Sequence, residues 1–114
     1  NEAILAFLEN EIGLEAARRK DYPEAVRRFQ SAIGLDPRTI PAYLNLGDIR
    51  VHQQNEAEAT LVWETMVDVA PDRAYLAFAR LEAQAARVGT PERFAALCRR
   101  LIAENPQDWR ARLA

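Results

Sequence analysis

The sequence predicts an all-helical fold in which three antiparallel helix pairs stack as repeats. Two observations favour it: apolar residues recur at helical spacings of three and four, and similar residues recur at a period of 34. Pro37 and Pro71 are 34 residues apart, and Pro106 follows 35 residues after Pro71. In this register like residues coincide: Gly13 with Gly47, Ala25 with Ala59, Phe29 with Trp63, and Ala32 with Met66. Because one helical hairpin cannot bury its apolar seam alone, neighbouring hairpins must stack on it.

Composition limits the classes of function. Fifteen basic and seventeen acidic residues give a net charge of −2, which argues against a nucleic-acid surface. No apolar run reaches the roughly 18 residues of a membrane span. One Cys and one His exclude an internal disulfide and a zinc site made only of Cys and His. We therefore expect no cofactor, no nucleic-acid partner and no membrane contact by this segment itself.

The first repeat begins with a helix predicted over Glu2–Arg19. Asp21 is the predicted N-cap of its second helix, with Glu24 as the capping-box partner. That helix is expected to end near Leu35, because Pro37 cannot continue it.

The second repeat shows the same punctuation. Thr39 is the predicted N-cap of its first helix, and Pro41 lies in the tolerant first turn. Asn55 is predicted to cap the second helix, with Glu58 as its capping-box partner, and Pro71 to end it.

The third repeat is predicted to begin with Asp72 as an N-cap. Gly89 is the predicted left-handed residue after its first helix. Thr90 is then the predicted cap of the second helix, with Pro91 at the first helical position, and Asn105–Pro106 end it.

The chain is expected to form a single domain that belongs to a longer protein. It starts within a predicted helix and shows no secretory signal. A further helix is predicted to start near its end, where Trp109 is expected to cover the last complete helix. The boundaries are 1–114 for the domain, about 6–39, 40–73 and 74–107 for the repeats, and 108–114 for the further helix.

This pattern resembles the tetratricopeptide repeat (TPR) family, whose motif combines an early aromatic, Leu-Gly, alternating small and aromatic residues, and a final Pro. The second repeat carries Tyr43, Leu46, Gly47, Ala59, Trp63 and Pro71. The first repeat carries Gly13, Tyr22, Ala25, Phe29, Ala32 and Pro37. The third departs most, with Glu82 in place of Gly and Phe94 in place of Ala. The resemblance implies a right-handed superhelical solenoid.

No motif in the sequence predicts catalysis. The four glycines are scattered, and neither a nucleophile elbow nor a paired-His metal motif is present. His52 is interpreted as a surface residue, and Cys98 and Trp63 as core residues, because the last two share the repeat position of Phe29. We therefore expect no enzymatic activity.

The remaining class of function is surface recognition. In TPR arrays the first helix of each repeat lines a concave groove, and the register assigns inward positions in this chain. The candidates are Asn10, Leu14, Arg18, Asn45, Asp48, His52, Leu76 and Arg80, with Arg87 as a further position. Asn45 can donate to and accept from a peptide backbone, and Arg80 can pair with a carboxylate.

Some TPR domains hold the C-terminal carboxylate of a peptide with a set of Lys, Asn and Arg residues. Asn45 and Arg80 match two of those positions, whereas three other positions depart. The departures are Asn10, Leu14 and Leu76. A complete carboxylate clamp is therefore not expected; with Val51, the two leucines predict a partly apolar groove suited to a peptide or a partner helix.

A narrower resemblance concerns residues 74–106. This stretch is similar to the degenerate late repeats of bacterial inner-membrane proteins of lipopolysaccharide assembly (LapB-like). Those proteins carry a membrane anchor, cytoplasmic TPRs and a zinc domain. The resemblance implies a cytoplasmic location, tethered to the inner membrane through a segment that this sequence lacks.

The predicted function is thus a non-catalytic scaffold that binds a protein partner in its groove. Self-association through exposed end helices, including the segment around Trp109, is the alternative. An enzyme that uses the groove with a cofactor is a third hypothesis, for which the sequence offers no constellation of residues.

Overall fold

The computed structural model describes residues 1–106 of the 114-residue chain. This part is helical and contains no strand, which confirms the predicted all-helical class. The helices are α1 (Glu2–Arg18), α2 (Tyr22–Leu35), α3 (Ile40–His52), α4 (Glu56–Val69), α5 (Phe78–Val88) and α6 (Pro91–Glu104), with a 3₁₀ segment (Pro71–Ala77) before α5. The predicted further helix with Trp109 lies outside the described residues.

Several predicted helix ends are confirmed by their hydrogen bonds. The Asp21 carboxylate accepts the backbone N–H of Glu24 at 3.3 Å, and the Asn55 side chain accepts that of Glu58 at 3.3 Å. Gly89 takes the left-handed conformation, with φ of 76°, directly after α5. Each of these groups satisfies backbone atoms that a helix end leaves unpaired.

One predicted helix start is wrong, and two others are confirmed in position only. The third repeat does not begin with an α-helix capped by Asp72, because the chain forms the 3₁₀ segment there and α5 starts only at Phe78. The Asp72 carboxylate instead accepts from Arg38 at 3.4 Å. Thr39 and Thr90 occupy N-cap positions, but their side chains make no capping hydrogen bond.

The first two helix pairs share one packing device, a glycine against a large aromatic ring. A Cβ added to Gly47 would lie 2.1 Å from Nε1 of Trp63, and one added to Gly13 would lie 2.6 Å from Cε1 of Phe29. Both rings are buried, as the repeat register predicts. The absence of a glycine side chain therefore sets how closely these helices approach.

The motif tyrosine of the second repeat connects a turn to the core. Tyr43 is buried, and its hydroxyl donates to the Pro37 carbonyl oxygen at 2.6 Å. Burial is the main cause of the raised pKa of Tyr43, and the nearby charge of Asp36 adds to it. The buried ring and its bonded hydroxyl fix the turn between α2 and α3.

The third helix pair packs differently and less extensively than the first. Leu81, Leu97 and Leu101 supply its core, and the rings of Phe78 and Phe94 meet edge to face with centroids 5.9 Å apart. Glu82, which replaces the motif glycine, points into solvent. The third repeat therefore packs on leucines and two phenylalanine rings and lacks the contact between a glycine and an aromatic ring seen in the first two.

Candidate functional site

Helices α3 and α5 line an open pocket of about 420 Å³, which we call the α3–α5 pocket. Asp48 and His52 from α3 and Arg80 and Arg87 from α5 provide its polar groups. The apolar part of the lining is Val51, Trp63, Ala79 and Ala83. Its volume falls within the range of about 300–1,000 Å³ typical of ligand pockets.

Two of the lining residues, Asp48 and Arg80, form an ion pair. Nε and Nη2 of Arg80 donate to the two carboxylate oxygens of Asp48, each at 2.9 Å. This hydrogen bonding raises the pKa of Arg80 against the opposing effect of burial. Arg80 is thus paired with a carboxylate of the protein itself, through two of its five N–H donors.

His52 lies at the rim of the pocket, at the end of α3. Its imidazole stacks on the ring of Tyr22, with centroids 5.6 Å apart and an interplanar angle of 15°. The predicted exposure of His52 is confirmed. The Tyr22 contact, which the sequence did not predict, holds the imidazole in one orientation.

Arg87 is positioned by residues that the sequence analysis did not single out. Its Nε donates to the Glu56 carboxylate at 3.4 Å, and its Nη2 donates to Oε1 of Gln84. Gln84 is buried, and its Nε2 donates to the Glu56 backbone carbonyl at 3.0 Å. The polar residue Gln84, lying among the apolar positions of α5, was the only sequence signal of this connection to α4.

Two of the predicted groove residues bind each other. Nδ2 of Asn45 donates to Oδ1 of Asn10 at 3.0 Å. Asn10 is buried, with 4% of its surface exposed, so it does not line an open groove as predicted. Because the Asn45 amide nitrogen is engaged by Asn10, this pair joins α1 to α3 and lies apart from the α3–α5 pocket lining.

The remaining candidates do not join the pocket either. Leu14 is half-buried against the cluster around Phe29, because it faces the α1–α2 interface. Arg18 is exposed and pairs with Glu15 on its own helix at 3.0 Å. Leu76 is exposed on the 3₁₀ segment, outside the pocket lining. The structure therefore brings together Asp48, His52 and Arg80, with Arg87, and disperses the others.

The α3–α5 pocket combines charged side chains with a small apolar surface. Two arginines, a histidine and one aspartate supply its polar groups, and Val51, Ala79 and Ala83 supply its accessible apolar surface, because Trp63 is buried. No group of three or more His, Cys, Asp or Glu side chains within residues 1–106 is arranged to hold a metal ion. Such a lining can accept an apolar side chain on its floor and polar or acidic groups at its arginines.

Cys98, the single cysteine, is a core residue as predicted. Burial raises the pKa of its thiol, the charge of Glu82 raises it further, and Arg99 partly opposes the shift. A buried thiol with a raised pKa is a poor nucleophile. Cys98 therefore belongs to the packing of α6.

The described fold is that of an all-helical protein compatible with a helical repeat, and its open pocket defines a candidate recognition site. No protein-family model matches the sequence, and a search of curated proteins gives no significant match. Across residues 1–106, every helix is too short or too polar to cross a bilayer. The TPR resemblance accordingly rests on the motif residues themselves.

Proposed function

We propose that this chain is a non-catalytic scaffold of the TPR type, which binds a segment of a protein partner over the α3–α5 pocket. The observation that carries the proposal is the convergence of Asp48, His52 and Arg80 on one open pocket. These residues come from two helices, and the repeat register selected all three from the sequence. The packing of Gly13 on Phe29 and of Gly47 on Trp63 supports a repeated hairpin unit.

The pocket favours an extended peptide that carries an apolar residue next to an acidic one. Val51, Ala79 and Ala83 offer an apolar floor, and two arginines lie at its edge. A guanidinium has five N–H donors, and Asp48 engages two from Arg80. The other edge of Arg80 can donate to a peptide carbonyl or carboxylate, and Asp48 holds it in place before the peptide arrives.

A finer proposal concerns the setting of this scaffold. The resemblance of residues 74–106 to LapB-like repeats supports a regulatory TPR region of a lipopolysaccharide-assembly protein, held on the cytoplasmic side of the inner membrane. The partner would then be another protein of that process, bound through the α3–α5 pocket.

Crosslinking mass spectrometry on the full-length parent protein in its native cells tests the pocket. Arg80→Ala is the test variant, and Arg93→Ala is its matched control. Arg93 also forms a two-fold hydrogen-bonded pair with a carboxylate of a neighbouring helix, at 2.8 and 2.7 Å from Glu64, but it does not line the pocket. Both variants lose one inter-helix ion pair, so a difference between them reports on the pocket.

We expect crosslinks from α3 and α5 to one partner protein in the wild type and in Arg93→Ala, and their loss in Arg80→Ala. Thermal melting of both purified variants checks that the fold survives. Crosslinks that persist in Arg80→Ala, or that map away from α3 and α5, would show that the partner binds elsewhere. The identity of the crosslinked protein tests the proposal on lipopolysaccharide assembly separately.

A further inference from the structure

The first three turns of α1 expose a row of large apolar side chains, which we call the α1 face. Between 44% and 59% of the surface of each residue is exposed. The residues are Ile4, Leu5, Phe7, Leu8 and Ile12. Their spacing places them on one side of the helix, opposite Ala6, Asn10, Gly13 and Ala16, which are buried. An exposed apolar row of this size on a helix indicates a contact surface.

The second repeat shows what happens to the equivalent side of a helix inside the fold. Leu8 and Ile12 correspond, 34 residues later, to Ala42 and Leu46 of α3. Ala42 is 0% exposed and Leu46 is 5% exposed, because α2 packs against that side of α3. Within residues 1–106 no helix covers the same side of α1.

The size of the α1 face fits a contact between two copies. Half-exposed side chains of this kind leave an apolar patch on the order of 500 Å², near the upper end for the largest patch of a monomer. Two such patches pressed together would bury on the order of 1,000 Å², which is the lower bound for a specific interface. A second copy of the same surface therefore suffices to cover the first.

We propose that two copies of this chain pair through their α1 faces as a symmetric dimer. The two α1 helices run antiparallel, with the two-fold axis at Leu8. Leu8 then meets the partner's Leu8, and Ile4 meets the partner's Ile12. The apolar row runs from residue 4 to residue 12, so it is centred on residue 8 and matches itself in this orientation.

Charge selects the antiparallel arrangement over the parallel one. Glu11 lies within the span of the apolar row, and Glu15 follows the row towards the C-terminal end of α1. A parallel pair would place each of these carboxylates beside its own copy, which is repulsive. The antiparallel pair instead brings Glu15 near the N-terminus of the partner's α1, where the helix dipole favours a negative charge.

Analytical ultracentrifugation of the purified chain over a wide concentration range tests the proposal. We expect the average mass to rise from 12.9 kDa towards twice that value as concentration increases. Leu8→Glu places two carboxylates at the axis and should return the chain to a monomer. Leu61→Glu is the matched control, because Leu61 on α4 is 51% exposed and Leu8 is 49% exposed.

Three results would overturn the proposal. These are a wild-type chain that stays monomeric at every accessible concentration, a dimer that survives Leu8→Glu, and a dimer that Leu61→Glu disrupts equally. A chain that stays monomeric yet binds an added helical peptide on α1 would show that an unlike helix covers the face, as α2 covers α3. Melting curves of both variants verify that these exposed substitutions leave the fold intact.

A cysteine crosslink tests the two-fold axis itself. In Leu8→Cys the two new thiols face each other across the axis. A disulfide requires the two Cα atoms to be about 4.4–6.8 Å apart, so mild oxidation should give a covalent dimer if the axis lies at residue 8. Leu61→Cys should not crosslink under the same conditions, and the native Cys98 is buried in both variants. Absence of the crosslink in a chain that dimerises would exclude pairing about Leu8. Equal crosslinking of both variants would show random collision instead of an interface.

Discussion

The guanidinium of Arg80 and the carboxylate of Asp48 form two parallel hydrogen bonds of 2.9 Å between α5 and α3. The two residues are 32 positions apart, so the bond joins the second repeat to the third. It also orients Arg80, one of the two arginines that line the α3–α5 pocket. The pair therefore connects the stacking of these two repeats with the proposed recognition site.

A double-mutant cycle on Arg80 and Asp48 should give a small coupling energy. Both side chains are more than a third exposed, at 35% for Arg80 and 43% for Asp48, so solvent screens the pair. We expect about 0.5–1 kcal/mol of coupling in the free energy of unfolding. Urea denaturation of both single Ala variants and the double variant measures it. A coupling several times larger would mean that the pair is a main support of the fold.

Replacing Gly47 by Ala should destabilise the protein. The added Cβ would lie 2.1 Å from Trp63 Nε1, so the indole ring or a helix must move. Overpacking of this kind costs about 1–3 kcal/mol, which exceeds the gain of about 1 kcal/mol in helix propensity. Gly34→Ala is the control, because a Cβ at that position meets open space. There the propensity gain alone should appear, and a loss of stability at Gly34 would contradict this explanation.

Trp63→Ala should be among the most costly single substitutions. The indole ring is 2% exposed, packs on Gly47, and its Nε1 donates to the Leu44 carbonyl oxygen at 3.4 Å. Removal of a buried aromatic costs about 3–5 kcal/mol. A melting curve that matches the wild type would refute the core position of Trp63.

The Cys98 thiol should react slowly with a disulfide reagent in the folded protein and quickly after unfolding. Burial raises its pKa, so folding favours the protonated thiol. This contribution to stability is complete below the pKa of the unfolded thiol and is lost as pH rises through the higher folded pKa. Stability should therefore fall on the alkaline side in the wild type, and less in Cys98→Ala. Fast labelling of the folded protein at neutral pH would contradict the burial.

The sequence was informative where a contact depends on a local pattern. Asp21, Asn55 and Gly89 mark helix ends through hydrogen bonds or backbone conformations that neighbouring residues determine. The burial of Trp63 followed from the 34-residue register, whereas its contact with Gly47 did not. The all-helical class required nothing beyond these local signals and the apolar spacing.

The sequence was less informative where side chains of different helices meet. The Asn10–Asn45 bond and the burial of Leu14 depend on the rotation and distance of α1 relative to its neighbours, which spacing along one helix does not determine. The 3₁₀ segment before α5 was also missed, because Asp72 resembles an N-cap until Arg38 is seen to bind it. The 35-residue spacing from Pro71 to Pro106 and the departures at Glu82 and Phe94 marked the third repeat as irregular, but they did not indicate a 3₁₀ segment.

The arginines of α5 and α6 have a consequence for how the molecule responds to salt. Arg80, Arg87, Arg93 and Arg100 all pair with acidic residues of α3 or α4. Since the third helix pair also has the leaner apolar contact, a larger share of its attachment is electrostatic and weakens with ionic strength. Added salt should therefore increase amide hydrogen exchange in α5 and α6 ahead of α3 and α4. We therefore expect that, at higher ionic strength, α5 is packed against α3 for a smaller fraction of the time, so the complete α3–α5 pocket is formed less often.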